Sequence, residues 1–214
     1  MGALTAEIAV AAAVGVAVAA LVASELRARR ARAAVCKTAA SVGFVLLAVL
    51  RADLSRPYDR WLVIALVLSL VGDVLLALPH ALPAGLAAFL LAHLAFIAAF
   101  SALTQLGAWP RPVLAGLAVA SLIAAAWLWP HVGRLRPAVL AYVAVITVMA
   151  WGAIAAAGRT GRISGAAGIL FYLSDLAVAR DRFVVRRFAS RAWGLPAYYA
   201  AQVMFALTLG GPKA

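Results

Sequence analysis

Apolar residues run along this chain in eight blocks, at 4–23, 34–50, 60–78, 84–103, 111–129, 135–157, 163–179 and 193–210. Charged residues are confined almost wholly to the gaps between them. The blocks lack the polar-apolar alternation of barrel strands. Blocks of about 20 apolar residues are long enough to cross a ~30 Å hydrocarbon core as helices. Several gaps are short and carry proline or glycine, as in "LPHALP" (78–83), "GAWPRP" (107–112) and "GRTGR" (158–162), which marks helix-to-helix turns. The pattern predicts an all-α polytopic membrane protein, one bundle of eight transmembrane helices over residues 1–214, with no linker to a soluble domain.

Composition agrees: 67% of the 214 residues are hydrophobic, where a soluble domain would be about half apolar. The net charge of +12 would suggest nucleic acid in a soluble protein. Here the arginines cluster between apolar blocks, as in "ELRARRAR", "GRLRP" and "RDRFVVRRFASR", the usual device for fixing orientation and meeting anionic lipid. Nucleic-acid binding is therefore not expected. The gaps after blocks one, five and seven hold more basic residues than the opposite side, whose charges include Arg51, Arg56, Arg60, Arg111 and Lys213. The positive-inside rule then puts both termini outside. "MGALTAEIAV" has no basic n-region, so the first block reads as a retained helix. The Ala- and Arg-rich composition suits a bacterial inner-membrane protein. The sequence leaves the oligomeric state open.

Two acids break the pattern. Asp73 sits in "LVLSLVGDVLLAL" (66–78) and Asp175 in "GILFYLSDLAVA" (168–179), each well inside an apolar block. Aspartate deep in a spanning helix costs at least about 2.5–3.5 kcal/mol on insertion scales, so such residues are rare and are functional candidates, the alternative being acids that hydrogen-bond across helices merely to hold the bundle. Asp73 lies 13 residues past Arg60 and Asp175 lies 12 past Ile163, in two odd-numbered blocks that cross in the same direction. The two carboxylates therefore share one depth. Glu7, Glu25, Asp53, Asp59 and Asp181 fall at block ends or in turns.

Other polar residues are candidates to join them. Ser69 is one helical turn before Asp73, and Ser174 immediately precedes Asp175. Gly72 leaves room beside Asp73 for a backbone, a substrate or plain helix packing. His93 is buried in "FLLAHLAF", and Tyr142, Tyr198, Tyr199 and Gln202 give polar tips to blocks six and eight. Lys37, in "CKTAAS", either snorkels to the interface or binds a phosphate head group. The lone Cys36 excludes an internal disulfide, and no metal-ligand spacing, GxSxG elbow, P-loop or dinucleotide fingerprint is present. No metal or cofactor is expected. What remains is carboxylate chemistry in an apolar setting.

The stretches "LSLVGDVLLAL", "FLLAHLAFIAAF", "YVAVITVMAWGA", "GAAGILFYLSDLAVA" and "LPAYYAAQVMFAL", in this order and spacing, resemble the YhhN-like family of membrane proteins, whose animal members are lysoplasmalogenases. The resemblance covers roughly residues 35–210. It implies an eight-helix enzyme that hydrolyses the vinyl ether bond of lysoplasmalogens to a fatty aldehyde and a glycerophospho-base. It places the family's two acidic motif positions on Asp73 and Asp175. One departure is Thr38, where the family pattern has proline after the lysine. Vinyl ether hydrolysis needs a proton donor for the β-carbon and an anion to face the oxocarbenium ion, and two carboxylates of unequal acidity supply both. A lysophospholipid would lay its tail among the helices and its phosphate near the basic gaps. The same two acids would also serve as a relay in a proton-coupled transporter or lipid-handling protein.

Overall fold

The computed structural model describes residues 2–211; Lys213 lies outside them. All its regular elements are helical: α1 (Gly2–Leu26), α2 (Arg30–Arg51), α3 (Pro57–Ala77), α4 (Leu82–Leu103), α5 (Arg111–Leu128), α6 (Arg136–Ala155), α7 (Ile163–Ala179) and α8 (Phe188–Leu207), joined by short turns. Proline in the first turn of α3, α4, α5 and α6 starts each helix where its missing N–H costs nothing. The eight helices match the eight apolar blocks within a few residues. The widest difference is at α8, which begins five residues before its block because Arg191 is held within the helix by Glu25 and Asp181.

Among the described residues, seven helices are long and apolar enough to cross a membrane; α8 is not among them. The expected all-α polytopic bundle of eight helices is thus present, with α8 the least apolar of them by this measure. The lower apolarity of α8 has a use, since Tyr198, Tyr199 and Gln202 on this helix are all buried. The molecule is apolar outside and polar within: Val16 and Leu122 are 71% and 70% exposed, whereas Ser41, Asp59 and Gln202 are fully buried. In water that arrangement would be unstable; in lipid it is what a polytopic bundle requires.

Helices α1, α2, α3, α4, α6, α7 and α8 pack in that order into a closed ring, with α8 also touching α2 and α3, while α5 stands outside against α6. Consequently α3 and α7, which carry the two intramembrane acids, are bridged by α4 and α6 on one side and by α8 on the other. An aromatic cluster of Phe96, Phe100, Phe171 and Phe205 fills the space between α4, α7 and α8. Ser121, Thr147 and Tyr172 join α5, α6 and α7 through hydroxyl contacts of 2.6 and 2.8 Å.

The two ends of the bundle are tied differently. At one end Asp59 is fully buried and accepts hydrogen bonds from the backbone N–H groups of Asp53 (2.9 Å) and Gly210 (3.1 Å). This clasps the α2–α3 turn to the end of α8, so Asp59, although at a block end, is a buried acid that ties two turns together. At the other end Arg191 pairs with Glu25 and Asp181, linking α8 to α1 and to the wide π-type turn Arg180–Val184 that ends α7.

Candidate active site

Asp73 and Asp175 line one cavity of about 670 Å³. Each stands four residues before the end of its helix, Ala77 for α3 and Ala179 for α7. At 1.5 Å per residue this puts both about 6 Å below the same end of the bundle. The cavity opens at that end, among residues of the α1–α2, α3–α4 and α7–α8 turns.

Asp73 is only 2% exposed and is surrounded by donors. The Lys37 ammonium lies 3.0 Å from Oδ1. Oδ2 accepts from Ser41 Oγ at 2.7 Å and from Tyr198 OH at 2.7 Å. Tyr199 OH backs up this set, 3.2 Å from Ser41 Oγ and donating to the Lys37 carbonyl at 3.1 Å. An ammonium and two hydroxyl donors are the partners of an ionised carboxylate. Lys37 therefore points into the bundle rather than snorkelling to the interface. With its side chain 18% exposed, it turns inward and is the counter-ion of Asp73.

Asp175 has a different environment. It is 16% exposed, and its Oδ2 is 3.2 Å from Tyr142 OH and 3.3 Å from His93 Nε2. His93 is almost fully buried, and its Nδ1 lies 2.6 Å from the Phe89 carbonyl. A carbonyl only accepts, so Nδ1 carries a proton. In neutral imidazole Nε2 then presents a lone pair toward the carboxylate. Nε2 and Oδ2 are 3.3 Å apart, close enough for a proton on either group to be passed to the other. Nε2 faces Oδ2 without the alignment of a good hydrogen bond.

Aromatic packing fixes both halves. His93 lies against Tyr142 and Phe171, with centroids 5.3 and 4.7 Å away. Phe171 and Phe89 each meet Tyr198, the donor to Asp73. Gly72 explains how Phe89 reaches this position: a Cβ there would come within 2.7 Å of the Phe89 ring. The room beside Asp73 is thus taken by Phe89, not left for substrate. Because the Phe89 carbonyl orients His93, Gly72 connects the two acid environments.

The remaining candidates separate. Ser69 is fully buried and donates to the Ala65 carbonyl at 2.9 Å, bonding along its own helix instead of toward Asp73. Ser174 lines the cavity, but its hydroxyl is used by the Phe171 carbonyl at 2.7 Å. Gln202 is fully buried one turn past Tyr198, outside the cavity wall, with no well-formed hydrogen bond. Sequence reasoning passed over Ser41, Phe89 and Phe171. Ser41 was within reach: it is four residues after Lys37, on the same helix face. No local signal distinguishes Phe89 and Phe171 from other apolar residues.

Among the described residues, no cluster of His, Cys, Asp and Glu is arranged to hold a metal ion. What the site offers is an imidazole beside one carboxylate, an ammonium beside the other, and a cavity that both carboxylates line.

Residues 32–209 match the model of the YhhN family. A lysoplasmalogenase of Mycobacterium tuberculosis is 38% identical over 158 residues, covering 68% of this chain and 58% of that protein. The lysoplasmalogenase TMEM86B of Sus scrofa is 36% identical over 172 residues, covering 78% of this chain and 72% of the pig protein. Human TMEM86A, also a lysoplasmalogenase, is 32% identical over 167 residues, with 72% and 67% covered. The chain therefore spans somewhat over half the length of its mycobacterial relatives. No solved structure matches it. With the family model spanning seven of the eight helices, and relatives above 30% identity in mycobacteria and mammals, this chain belongs to the YhhN family.

Proposed function

We propose that this chain is a membrane-embedded hydrolase of the vinyl ether bond of lysoplasmalogens, releasing a fatty aldehyde and a glycerophospho-base in the bacterial cytoplasmic membrane. The observation that carries this reading is the unlike company of two carboxylates on one cavity: Asp73 meets an ammonium and two hydroxyl donors, whereas Asp175 meets the His93 imidazole and the Tyr142 hydroxyl, a pair to which the proposal assigns one transferable proton. The names of the mycobacterial and mammalian relatives point the same way.

In the proposed mechanism the His93–Asp175 pair gives its proton to the β-carbon of the vinyl ether. The double-bond electrons form the new C–H bond, leaving an oxocarbenium ion. The Asp73 carboxylate faces this cation, its charge held in place by Lys37. Water attacks the cationic carbon and returns a proton to the vacated His93–Asp175 pair. Transfer of the hemiacetal hydroxyl proton to the glycerol oxygen then breaks the C–O bond. The net reaction consumes one water, and every proton returns to its starting group. Preorganised charge and proton transfer of this kind contribute about 10²–10⁴-fold each.

The aromatic cluster behind the site speaks against a transport path. Phe96, Phe100, Phe171 and Phe205 pack where a channel to the opposite end would run, and the cavity is lined from the arginine-rich end. The test is aldehyde release by the purified chain from a lysoplasmalogen in detergent. Wild type is expected to release aldehyde, and Asp73→Asn and Asp175→Asn each to lose at least about 100-fold. Full activity in both variants, or proteoliposome uptake of unaltered lipid driven by a pH gradient, would overturn the proposal.

A further inference from the structure

The cavity is too shallow for a whole lipid tail. Its deepest lining residues, Lys37, Phe89, Tyr142 and Tyr198, lie roughly two to three turns inside the helix ends at Arg30, Leu82, Arg136 and Phe188. The floor is therefore roughly 10–15 Å below that end of the bundle, and Asp73 and Asp175 are already about 6 Å down. Beneath the floor the rings of Phe96, Phe171 and Phe205 pack on one another. The tail of a bilayer lipid spans about half of the ~30 Å hydrocarbon core, roughly 15 Å. A tail that begins between the two acids has less than about 10 Å of cavity beneath it. The rest has to leave through the wall.

Most of the wall is closed at this end. Turns join α1 to α2, α3 to α4 and α7 to α8. Lys37 and Asp73 tie α2 to α3, and Arg191 and Glu25 tie α8 to α1. Helix α5 lies over the α6–α7 seam: Ser121 meets both Thr147 and Tyr172, and nearer the mouth α5 touches the Arg180–Val184 turn. The α4–α6 seam has no such tie. Among the described residues no hydrogen bond or ion pair joins these two helices, and the α6 residue that lines the cavity is Tyr142, its ring 5.3 Å from that of His93. No residue of α6 from Arg136 to Val145 is buried. Every other ring helix buries a residue within about a turn of this end, at Ser24, Ala33, Asp73, Gly85, Ala177 and Ser190. The close packing of α6 is at its far half, where Gly165 and Gly168 of α7 seat against Ile154, Ala150 and Ala153. The walls of the seam are apolar: Leu86 and Phe89 line the cavity from α4, and Val139 is half-buried one turn before Tyr142.

We infer that the seam between α4 and the first half of α6 is a lateral portal through which the alkenyl tail of the substrate passes into the surrounding lipid, with Tyr142 at its threshold. The reacting end then stays in the cavity while the tail keeps its contact with lipid, so the cavity sets no limit on tail length. This inference rests on the lysolipid reading of the site, and its first test needs no turnover. The probe is a saturated alkyl ether lysophosphocholine, which has no vinyl bond to cleave, with a photoreactive diazirine at the end of its tail. It is crosslinked to the full chain in nonionic detergent micelles, and the labelled residues are identified by mass spectrometry.

Label is expected on α4 between Leu82 and Leu94 and on α6 between Arg136 and Val145. Val139→Trp, which fills the seam beside Tyr142, should reduce that label about fivefold or more. Leu140→Trp adds the same bulk on the opposite face of α6, where Leu140 is 42% exposed, and should leave the label unchanged. In turnover, Val139→Trp should slow aldehyde release from a long-tailed lysoplasmalogen about tenfold relative to one whose tail ends inside the cavity, and Leu140→Trp should not. Label on Phe96, Phe171 or Phe205, label on α1 and α2, or an equal loss in the two tryptophan variants overturns the portal. Should Val139→Trp fail to fold, the wild-type label pattern decides. Portal label without aldehyde release from any vinyl ether lipid leaves the portal standing and removes the hydrolase reading. Aldehyde release with label in the aromatic cluster does the reverse.

Discussion

Lys37 is the sharpest point at which structure departs from sequence, and replacing it tests the Asp73 environment. Lys37→Met keeps the unbranched stem and removes the ammonium 3.0 Å from a carboxylate that is 2% exposed. Breaking a buried pair by removing one partner costs about 3–5 kcal/mol. The lysine is 18% exposed, so water partly screens the loss and the expected cost is about 2–3 kcal/mol. Asp73→Asn leaves the opposite charge uncompensated and disturbs the Ser41 and Tyr198 hydrogen bonds, at a cost of about 2 kcal/mol. In the double variant neither charge remains, so its cost should fall short of the sum by at least about 1 kcal/mol. The assay is reversible unfolding in mixed micelles, completing the cycle, with aldehyde release followed in parallel. Activity should be lost in all three variants, including the double, because the anion is needed for chemistry and not only for packing. Additive costs within about 0.5 kcal/mol would mean that Lys37 and Asp73 do not interact, and the reasoning would fail.

Three further substitutions separate site from scaffold. Gly72→Ala pushes on the Phe89 ring, and through the Phe89 carbonyl it moves His93; aldehyde release should fall about tenfold or more, mainly in kcat, as expected of a misplaced proton donor. Ser69→Ala removes a hydroxyl that bonds only along its own helix, so kinetics should stay within about twofold of wild type and stability within about 1 kcal/mol. Gly210→Ala places a Cβ on the Arg51 carbonyl at a φ of 65°. Melting should show a loss of about 1–3 kcal/mol, with kcat unchanged in the protein that remains folded.

The helices were legible because lipid imposes one requirement on long stretches of chain, and eight apolar blocks interrupted by proline, glycine and arginine satisfy it. The depth of Asp73 and Asp175 was also legible, since it needs only the rise of a helix. Lateral arrangement was not. Whether Ser69 or Ser41 faces Asp73 depends on which helix packs against which face of α3, and both serines are one turn from a candidate residue. Lys37 misled for a related reason: a lysine near a helix end snorkels unless a carboxylate lies across the interface, and that carboxylate is 36 residues away in sequence. Asp59 sits at a block end, yet backbone N–H groups from two distant turns bury it. His93 reads as buried from sequence, but its Nδ1–H tautomer depends on the Phe89 carbonyl, which only the structure places against that nitrogen.

The central claim is that the His93–Asp175 pair protonates a vinyl β-carbon. It is tested most directly by running the reaction in D₂O, trapping the aldehyde as its alcohol with borohydride, and weighing the product. The account predicts one carbon-bound deuterium next to the former carbonyl carbon, with aldehyde formation at least about 100-fold slower in Asp175→Asn. Aldehyde that carries no deuterium, or is formed by Asp175→Asn at the wild-type rate, would contradict it.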